Sequence, residues 1–94
     1  MRLTPAQVNN FKQSVLSIDE NAKLYLFGSR ADDSKRGGDI DLAVLSDKIG
    51  FDEECKILKN YYNEFEEEKI DLLIVAPPYD LPFWRYVKNK SVEL

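Results

Sequence analysis

Hydrophobic and polar positions along this chain predict helices interleaved with short strands. The first helix is predicted to begin at residues 4–7, where the sequence TPAQ supplies a capping box and places proline in the first turn. Its apolar positions recur at helical spacing, at Val8, Phe11, Val15 and Ile18. Mostly apolar runs at 24–27, 40–45 and 70–75 predict three strands, of which the first should be central and covered on both faces.

A second helix is predicted over 51–65, after the turn signals that follow the second strand. Its apolar stripe is expected at Phe51, Cys55, Leu58, Tyr62 and Phe65. Cys55 lies on that stripe, so we expect a core residue rather than a nucleophile. Asp80 is expected to cap a short last helix with Pro82 in its first turn, and the tail at 89–94 either adds a short edge strand or frays.

These elements indicate one small domain. The 94 residues suffice for one domain and not for two, so 1–94 is predicted to be a single unit. The apolar fraction of 44% is ordinary for a globular protein, which argues against disorder. The order of elements predicts an α/β or α+β fold, with a sheet flanked by helices.

Composition excludes several classes of function. The sequence has no histidine, which removes histidine acid–base chemistry, histidine triads and most zinc sites. A net charge of −4 argues against a general nucleic-acid binder. The single cysteine permits no internal disulfide, so a reducing cytoplasm is the expected location. The first residues lack the apolar core of a signal peptide, and the longest apolar run, 72–76, is too short to span a bilayer.

Two aspartates one residue apart open the second strand. Asp39 and Asp41 stand at i and i+2, so on an extended strand both project to one face. Ile40 and Leu42 then turn the other way, into a core. Neighbouring carboxylates raise each other's pKa unless a positive charge lies between them, and oxygen ligands suit hard cations such as Mg²⁺. The alternative is an exposed strand face that happens to carry acids.

Two further features could belong to the same site. Gly28 and Ser29 end the first strand, where a glycine permits close approach of a ligand and the N–H groups and hydroxyl can meet an anion; an ordinary turn is the alternative. Asp71 is a lone acid among aliphatic residues of a strand expected to be central, where burial would be costly. Its alternative is a strand-end residue that faces solvent. If the third strand lies beside the second, Asp71 completes a three-carboxylate site able to hold two cations about 3.5–4 Å apart.

The segment GSRADDSKRGGDIDLAV resembles the signature of the minimal nucleotidyltransferases, a branch of the DNA polymerase beta-like nucleotidyltransferase superfamily. That signature joins Gly-Ser, through a spacer, to Asp-x-Asp and to a third aspartate on a later strand. Gly28 and Ser29 match its first part, nine residues separate them from Asp39 and Asp41, and Asp71 matches the third acid.

The resemblance implies a mixed β-sheet of the polymerase beta palm type, two Mg²⁺ ions, and transfer of a nucleoside monophosphate from a triphosphate, with ATP the expected substrate. Asp39, Asp41 and Asp71 would be the catalytic metal ligands. Ser29 would contact the triphosphate, and Arg30 matches a frequent Gly-Ser-Arg and could also face phosphate. Small relatives of this kind often pair with a helical HEPN-type protein, as antitoxin to toxin, and some resemble adenylyltransferases that modify that partner.

Two other functions compete with this interpretation. The chain could be a non-catalytic antitoxin that neutralises its partner by contact alone. Transfer to a small molecule, as in aminoglycoside-modifying relatives, ranks lower because those enzymes use an added domain to hold the drug. The sequence leaves the base preference, the acceptor and any homo-oligomer undecided.

Several charged and aromatic residues have a plain interpretation beside a functional one. Lys35 and Arg36 could steer a triphosphate, but solvated loop charges are the favoured interpretation. The acidic run at 66–68 is expected to be a solvated helix end rather than a metal cluster. Aromatic side chains near the end of the chain either cap the core or meet a nucleotide base or a partner, namely Phe83, Trp84 and Tyr86.

Overall fold

The α-helices and the first three strands follow one another along the chain in the predicted order. The computed structural model describes residues 2–35, 38–66 and 69–94. Their elements are α1 (Pro5–Ile18), β1 (Lys23–Phe27), a 3₁₀ turn (Gly28–Ala31), β2 (Ile40–Leu45), α2 (Phe51–Glu64), β3 (Ile70–Val75), α3 (Pro82–Val87), a second 3₁₀ turn (Lys88–Lys90) and β4 (Val92–Glu93). Of the two outcomes left open for the tail, the structure has the short strand.

The strands form a small mixed sheet in the order β3-β2-β1-β4. β1 is antiparallel to β2 and to β4, and β2 is parallel to β3. The central position predicted for β1 is confirmed, but the central position expected for the third strand is wrong: β3 is an edge strand of the sheet that the described residues form. Asp71, the second residue of this edge strand, is exposed.

Alternate residues of the strands serve two separate packing layers. On one face, Leu26, Ile40 and Leu42 are fully buried beneath α1 and α2. On the opposite face, Phe27, Ala43 and Val75 pack with Trp84 of the short helix α3. The alternation expected for β2 is therefore confirmed, because Ile40 and Leu42 enter the core while Asp41 faces the side of α3.

Aromatic stacking fixes α2 against α1. The rings of Phe11 and Tyr61 are stacked with centroids 4.5 Å apart, and both side chains are fully buried. Gln7 Nε2 donates a 3.0 Å hydrogen bond to the Tyr61 hydroxyl, so the polar end of the ring is satisfied inside the core. The predicted capping box is present as well, since the Gln7 backbone N–H donates to Thr4 Oγ1 and the Thr4 N–H donates to Gln7 Oε1. These contacts hold α2 in place above the sheet.

The predicted stripe of α2 is partly wrong. Leu58 and Phe65 pack against the core, but Phe51 and Cys55 are exposed, and so is much of Tyr62. The residues that α2 buries fully are Ile57 and Tyr61. The stripe through Cys55 and the stripe through Ile57 and Tyr61 both have helical spacing. Contact between Tyr61 and α1 selects the second one. Cys55 is therefore not a core residue.

Two smaller predictions concern the start of α3 and the end of α2. Asp80 does not cap α3, because Leu81 is the N-cap residue and makes no side-chain capping bond. α2 ends at Glu64, and Glu66 beyond it is exposed as expected. The remaining residues of the acidic run, Glu67 and Glu68, lie outside the described residues, as does Arg36. In the described part of the chain, no helix combines the length and apolar character needed to cross a membrane.

The corrected stripe of α2 can be tested by paired truncations. Ile57→Ala should lower the free energy of unfolding by about 2–5 kcal/mol, because it opens a cavity beneath the helix. Cys55→Ala, two residues away on the same helix, should change it by less than about 0.5 kcal/mol. Urea unfolding of the two variants measures the difference, and a larger loss for Cys55→Ala would restore the original stripe.

Candidate active site

Asp41 and Asp71 lie side by side on neighbouring strands. Parallel pairing of β2 with β3 sets Asp41 opposite Asp71, and antiparallel pairing with β1 sets Asp41 opposite Phe27. Residues aligned in this way project to the same face, so both carboxylates stand on the α3 face of the sheet. The condition set by the sequence, a third strand beside the second, is met.

The local environment of Asp41 disfavours its charged form. Partial burial and the neighbouring Asp71 raise the pKa of Asp41 to about 6. A hydrogen bond that protonated Asp41 donates to Asp71 contributes, as does the charge of Asp39, and Lys69 offsets part of the effect. Both of the other predicted acids therefore act on Asp41, as expected where carboxylates are gathered at one site rather than scattered over a surface.

Asp39 stands just before β2 and is exposed. Its Oδ2 is 3.8 Å from the Nζ of Lys69, which directly precedes β3. Both side chains are well exposed, so this ion pair adds little to stability. The ammonium group of Lys69 does place a positive charge near the first residues of β2 and β3, where the three carboxylates lie.

Gly28 lies directly against the carboxylate of Asp41. A Cβ built on Gly28 would collide with Asp41 Oδ2, and the backbone at Gly28 has a φ of +73°, which side chains with a Cβ rarely adopt. The sequence predicted that Gly28 permits another group to approach the backbone closely. In the structure, the group that lies close to Gly28 is the carboxylate of Asp41. The turn at the end of β1 and the acid at the start of β2 form one continuous surface.

The turn that follows is held by arginine side chains that donate hydrogen bonds to backbone carbonyls. Arg30 Nε donates to the Gly38 carbonyl at 3.2 Å, and Arg30 Nη1 donates to the Arg2 carbonyl at 3.2 Å. Arg2 in turn donates from Nη2 to the Ser29 carbonyl at 3.0 Å. The Ser29 hydroxyl lies so close to Gly38 that a Cβ there would collide with it, and Gly38 has a φ of +90°. Arg30, expected to face phosphate, thus braces the two ends of the loop in this structure.

A cleft of about 870 Å³ opens beside this surface. One side is lined by Phe27, Gly28, Ser29 and Asp41, and Asp32, Asp33 and Lys35 of the following loop also line the cleft. The opposite wall comes from α3 and the 3₁₀ turn after it. The volume falls within the usual range of about 300–1,000 Å³ for ligand pockets.

The aromatic residues of α3 divide between the two roles that the sequence left open. Trp84 is buried and packs on Tyr25 with ring centroids 5.0 Å apart, so it caps the core. Phe83 and Tyr86 line the cleft and are 52% and 81% exposed. The sequence left open whether these two residues cap the core or belong to a binding surface. Their helical spacing to Val87 and Lys90, which also line the cleft, is the signal that could have shown it.

The donor set suits Mg²⁺ in its chemistry but is not a ready-made cage. In residues 2–35, 38–66 and 69–94, no group of three or more histidine, cysteine, aspartate or glutamate side chains is arranged to hold a metal ion. Mg²⁺ typically takes only one or two carboxylates and completes its shell with water and substrate phosphates. Asp41, whose pKa is raised by partial burial and by Asp71, is a carboxylate whose charged form a bound cation would stabilise.

A comparison with protein families agrees with this geometry. The sequence model of the family described as "Polymerase beta, Nucleotidyltransferase" matches residues 9–94, which run from within α1 to the end of β4. The chain belongs to the polymerase beta nucleotidyltransferase family, and its sheet and helices are those of a nucleotidyltransferase domain. A search of curated proteins finds no match.

The contact between Gly28 and Asp41 can be measured with a double-mutant cycle. Gly28→Ala should destabilise the fold by at least about 1 kcal/mol, because it adds a collision with Asp41 to an unfavourable φ. In an Asp41→Ala background the collision disappears and only the backbone strain remains, so the cost should be clearly smaller. Urea unfolding of the four proteins gives the coupling, and an equal cost in both backgrounds would contradict the contact.

The raised pKa of Asp41 has a consequence for stability with a definite sign. An acid whose pKa is raised from 3.8 to about 6 binds its proton more tightly in the folded state. Its charged form therefore destabilises the fold above pH 6, and this penalty is relieved as the pH falls from 6 towards 4. Asp41→Asn should raise the free energy of unfolding at pH 7.5 by about 1 kcal/mol, after discounting for solvent screening.

The same measurement across pH separates this effect from other carboxylates. The gain from Asp41→Asn should shrink as the pH is lowered from about 6 to about 4. Asp47→Asn is the matched control, because Asp47 is an exposed acid beyond the other end of β2. A gain for Asp41→Asn that does not change between pH 7.5 and pH 4 would rule out the electrostatic cause.

Proposed function

We propose that this protein is a Mg²⁺-dependent transferase that moves a nucleoside monophosphate, adenylate from ATP, to a hydroxyl group of a partner protein. The observation that carries the proposal is the alignment of Asp41 with Asp71 across β2 and β3, with Gly28 against Asp41. Carboxylates paired on strand ends beside a glycine turn are suited to a triphosphate and its cations. Membership in the nucleotidyltransferase family supports the reaction class.

Asp39, Asp41 and Asp71 would hold the metal. Their oxygen donors are of the type that Mg²⁺ prefers, and the oxygens of a triphosphate would complete each coordination shell. When bound, Mg²⁺ would offset phosphate charge and lower the pKa of the attacking hydroxyl. The absence of a ready-made cage among the described residues is compatible with a site that forms only with its nucleotide.

The remaining groups of the chain bind substrate and handle the proton. Ser29 would donate its hydroxyl to a phosphate oxygen at the end of β1, where Gly28 leaves the backbone accessible. Asp71, exposed on the edge strand, would accept the proton of the incoming hydroxyl. Across the sheet the order is Phe27 at the end of β1, Asp41 on β2 and Asp71 on β3, and Gly28 directly follows Phe27. The triphosphate and the acceptor would thus approach from opposite sides of Asp41.

The partner we propose is a helical HEPN-type toxin, with this protein as its antitoxin. Support comes from the resemblance of residues 28–45 and Asp71 to the minimal nucleotidyltransferases. A non-catalytic antitoxin that acts by contact is the second candidate. It is favoured by the exposed aromatic residues of α3, because exposed aromatic side chains are enriched at protein interfaces.

Replacing both acids of β2 tests the catalytic proposal. The double variant Asp39→Asn, Asp41→Asn should fold and should lose nucleotide transfer by at least about 10³-fold, because amides hold cations poorly. Transfer is measured with labelled ATP and the purified candidate partner, with Mg²⁺ present. Asp47→Asn, a matched acid-to-amide change outside the site, should transfer at the wild-type rate.

The same variant separates chemistry from contact. If the double variant neutralises the toxin as well as the wild-type protein does, contact is sufficient and the second candidate is favoured. Transfer at the wild-type rate by the double variant would exclude the proposed metal ligands.

A further inference from the structure

We infer that Tyr86, with Phe83, forms the platform on which the base of the nucleoside triphosphate stacks. This inference rests on the proposed transferase function, since it takes the triphosphate to lie at Gly28 and Ser29. It assigns to α3 the side of the cleft that binds the nucleoside. No step of the transfer reaction depends on these two rings, so their contribution is to affinity for the nucleotide.

The position of α3 is fixed by Trp84. This side chain is only 4% exposed and packs with Phe27, Ala43 and Val75 on the sheet. Because Trp84 faces the sheet, the residues one position before it and two positions after it cannot be buried in the same way. Phe83 and Tyr86 are accordingly held at the surface by a helix that is itself anchored.

The residues of the cleft wall follow one helical face. Phe83, Tyr86, Val87 and Lys90 stand at i, i+3, i+4 and i+7, and all four line the cleft. Phe83 also meets Phe27, the residue before Gly28, with ring centroids 5.9 Å apart in an edge-to-face arrangement. The aromatic wall is therefore continuous with the turn at the end of β1.

Polar and aromatic groups are distributed in the cleft as the phosphates and the base of a nucleotide require. Asp41, Gly28 and Ser29 supply the polar wall, where phosphates and their cations would lie. The opposite wall presents two rings, of which Tyr86 is 81% exposed and so has most of its surface open to contact. Lys35 and Lys90 line the cleft together with Asp32, Asp33 and Asp41, so a triphosphate would bind there with its cations rather than through the charge of the cleft alone. A flat apolar base joined to a charged triphosphate fits both walls at once.

Binding measurements with two probes test the platform. Affinity for ATP with Mg²⁺ should fall roughly 5- to 150-fold in Tyr86→Ala, the range expected when one base loses its stacking partner. Affinity for inorganic tripolyphosphate with Mg²⁺, which has no base, should be unchanged. UTP should also lose affinity, because every base has a face that can stack. Isothermal titration calorimetry gives all three dissociation constants.

Two control variants separate stacking from other effects. Tyr86→Phe keeps the ring and should bind ATP within about twofold of wild type, since stacking does not need the hydroxyl. Phe51→Ala removes a ring that is 76% exposed on α2, outside the cleft, and should leave ATP binding unchanged. Emission from Trp84, the one tryptophan of the sequence, reports whether α3 remains packed in each variant.

A measurement on the wild-type protein avoids any effect of mutation. With saturating ATP, nuclear Overhauser contacts should join adenine H2 and H8 to the ring protons of Tyr86 or Phe83. Their absence at saturation would overturn the inference, as would unchanged ATP affinity in Tyr86→Ala. An equal loss for ATP and tripolyphosphate would also overturn it, because Tyr86 would then act on the phosphate turn.

The outcomes distinguish this inference from the function on which it rests. A wild-type protein that binds neither ATP nor tripolyphosphate overturns both. ATP binding that depends on Tyr86, without transfer to any protein acceptor, supports the platform and contradicts the transferase. If Tyr86→Ala binds ATP normally and loses only its protein partner, the rings belong to a protein interface and the inference is wrong.

Discussion

The parallel pairing of β2 with β3 is the constraint on which the candidate site depends. It sets Asp41 opposite Asp71, and a slip of one residue would turn Asp71 to the face covered by α1 and α2. Parallel neighbours require a crossover, and α2 supplies it. Because Tyr61 of α2 stacks on Phe11 of α1, packing on the far side of the sheet fixes the register on which the carboxylates depend.

At the start of β2 and β3, apolar and acidic side chains lie on opposite faces of the sheet. Ile40, Leu42 and Ile70 are buried beneath the helices, while Asp41 and Asp71 stand between them on the opposite side. Partial burial and repulsion from Asp71 raise the pKa of Asp41, so the charged form of Asp41 is disfavoured there. The apolar residues hold the register regardless of that repulsion, which is why a strand can keep adjacent acids without losing its position.

The sequence alone predicted the features that depend on neighbouring residues. The limits of β2 and β3, the capping box of α1 and the orientation of Asp41 all follow from local spacing. The stripe of α2 could not be decided in this way, because the series through Cys55 and the series through Ile57 both have helical period. Contact with α1 selects between them, and that contact joins residues far apart in the chain. The edge position of β3 depends on strand pairing in the same way.

The aromatic wall shows how the short helix α3 acquires two different surfaces. A helix of six residues cannot bury all of its rings against one sheet, so the anchoring of Trp84 leaves Phe83 and Tyr86 facing the cleft. The other wall of that cleft begins at Gly28, beside Asp41, and Asp71 lies one strand further on. The two ends of the site therefore differ. The aromatic wall lies beside β1, and the exposed carboxylate of Asp71 lies at the edge of the sheet, on β3. A nucleotide held at the first end would leave Asp71 open to a second molecule, which is the arrangement that transfer between two substrates requires.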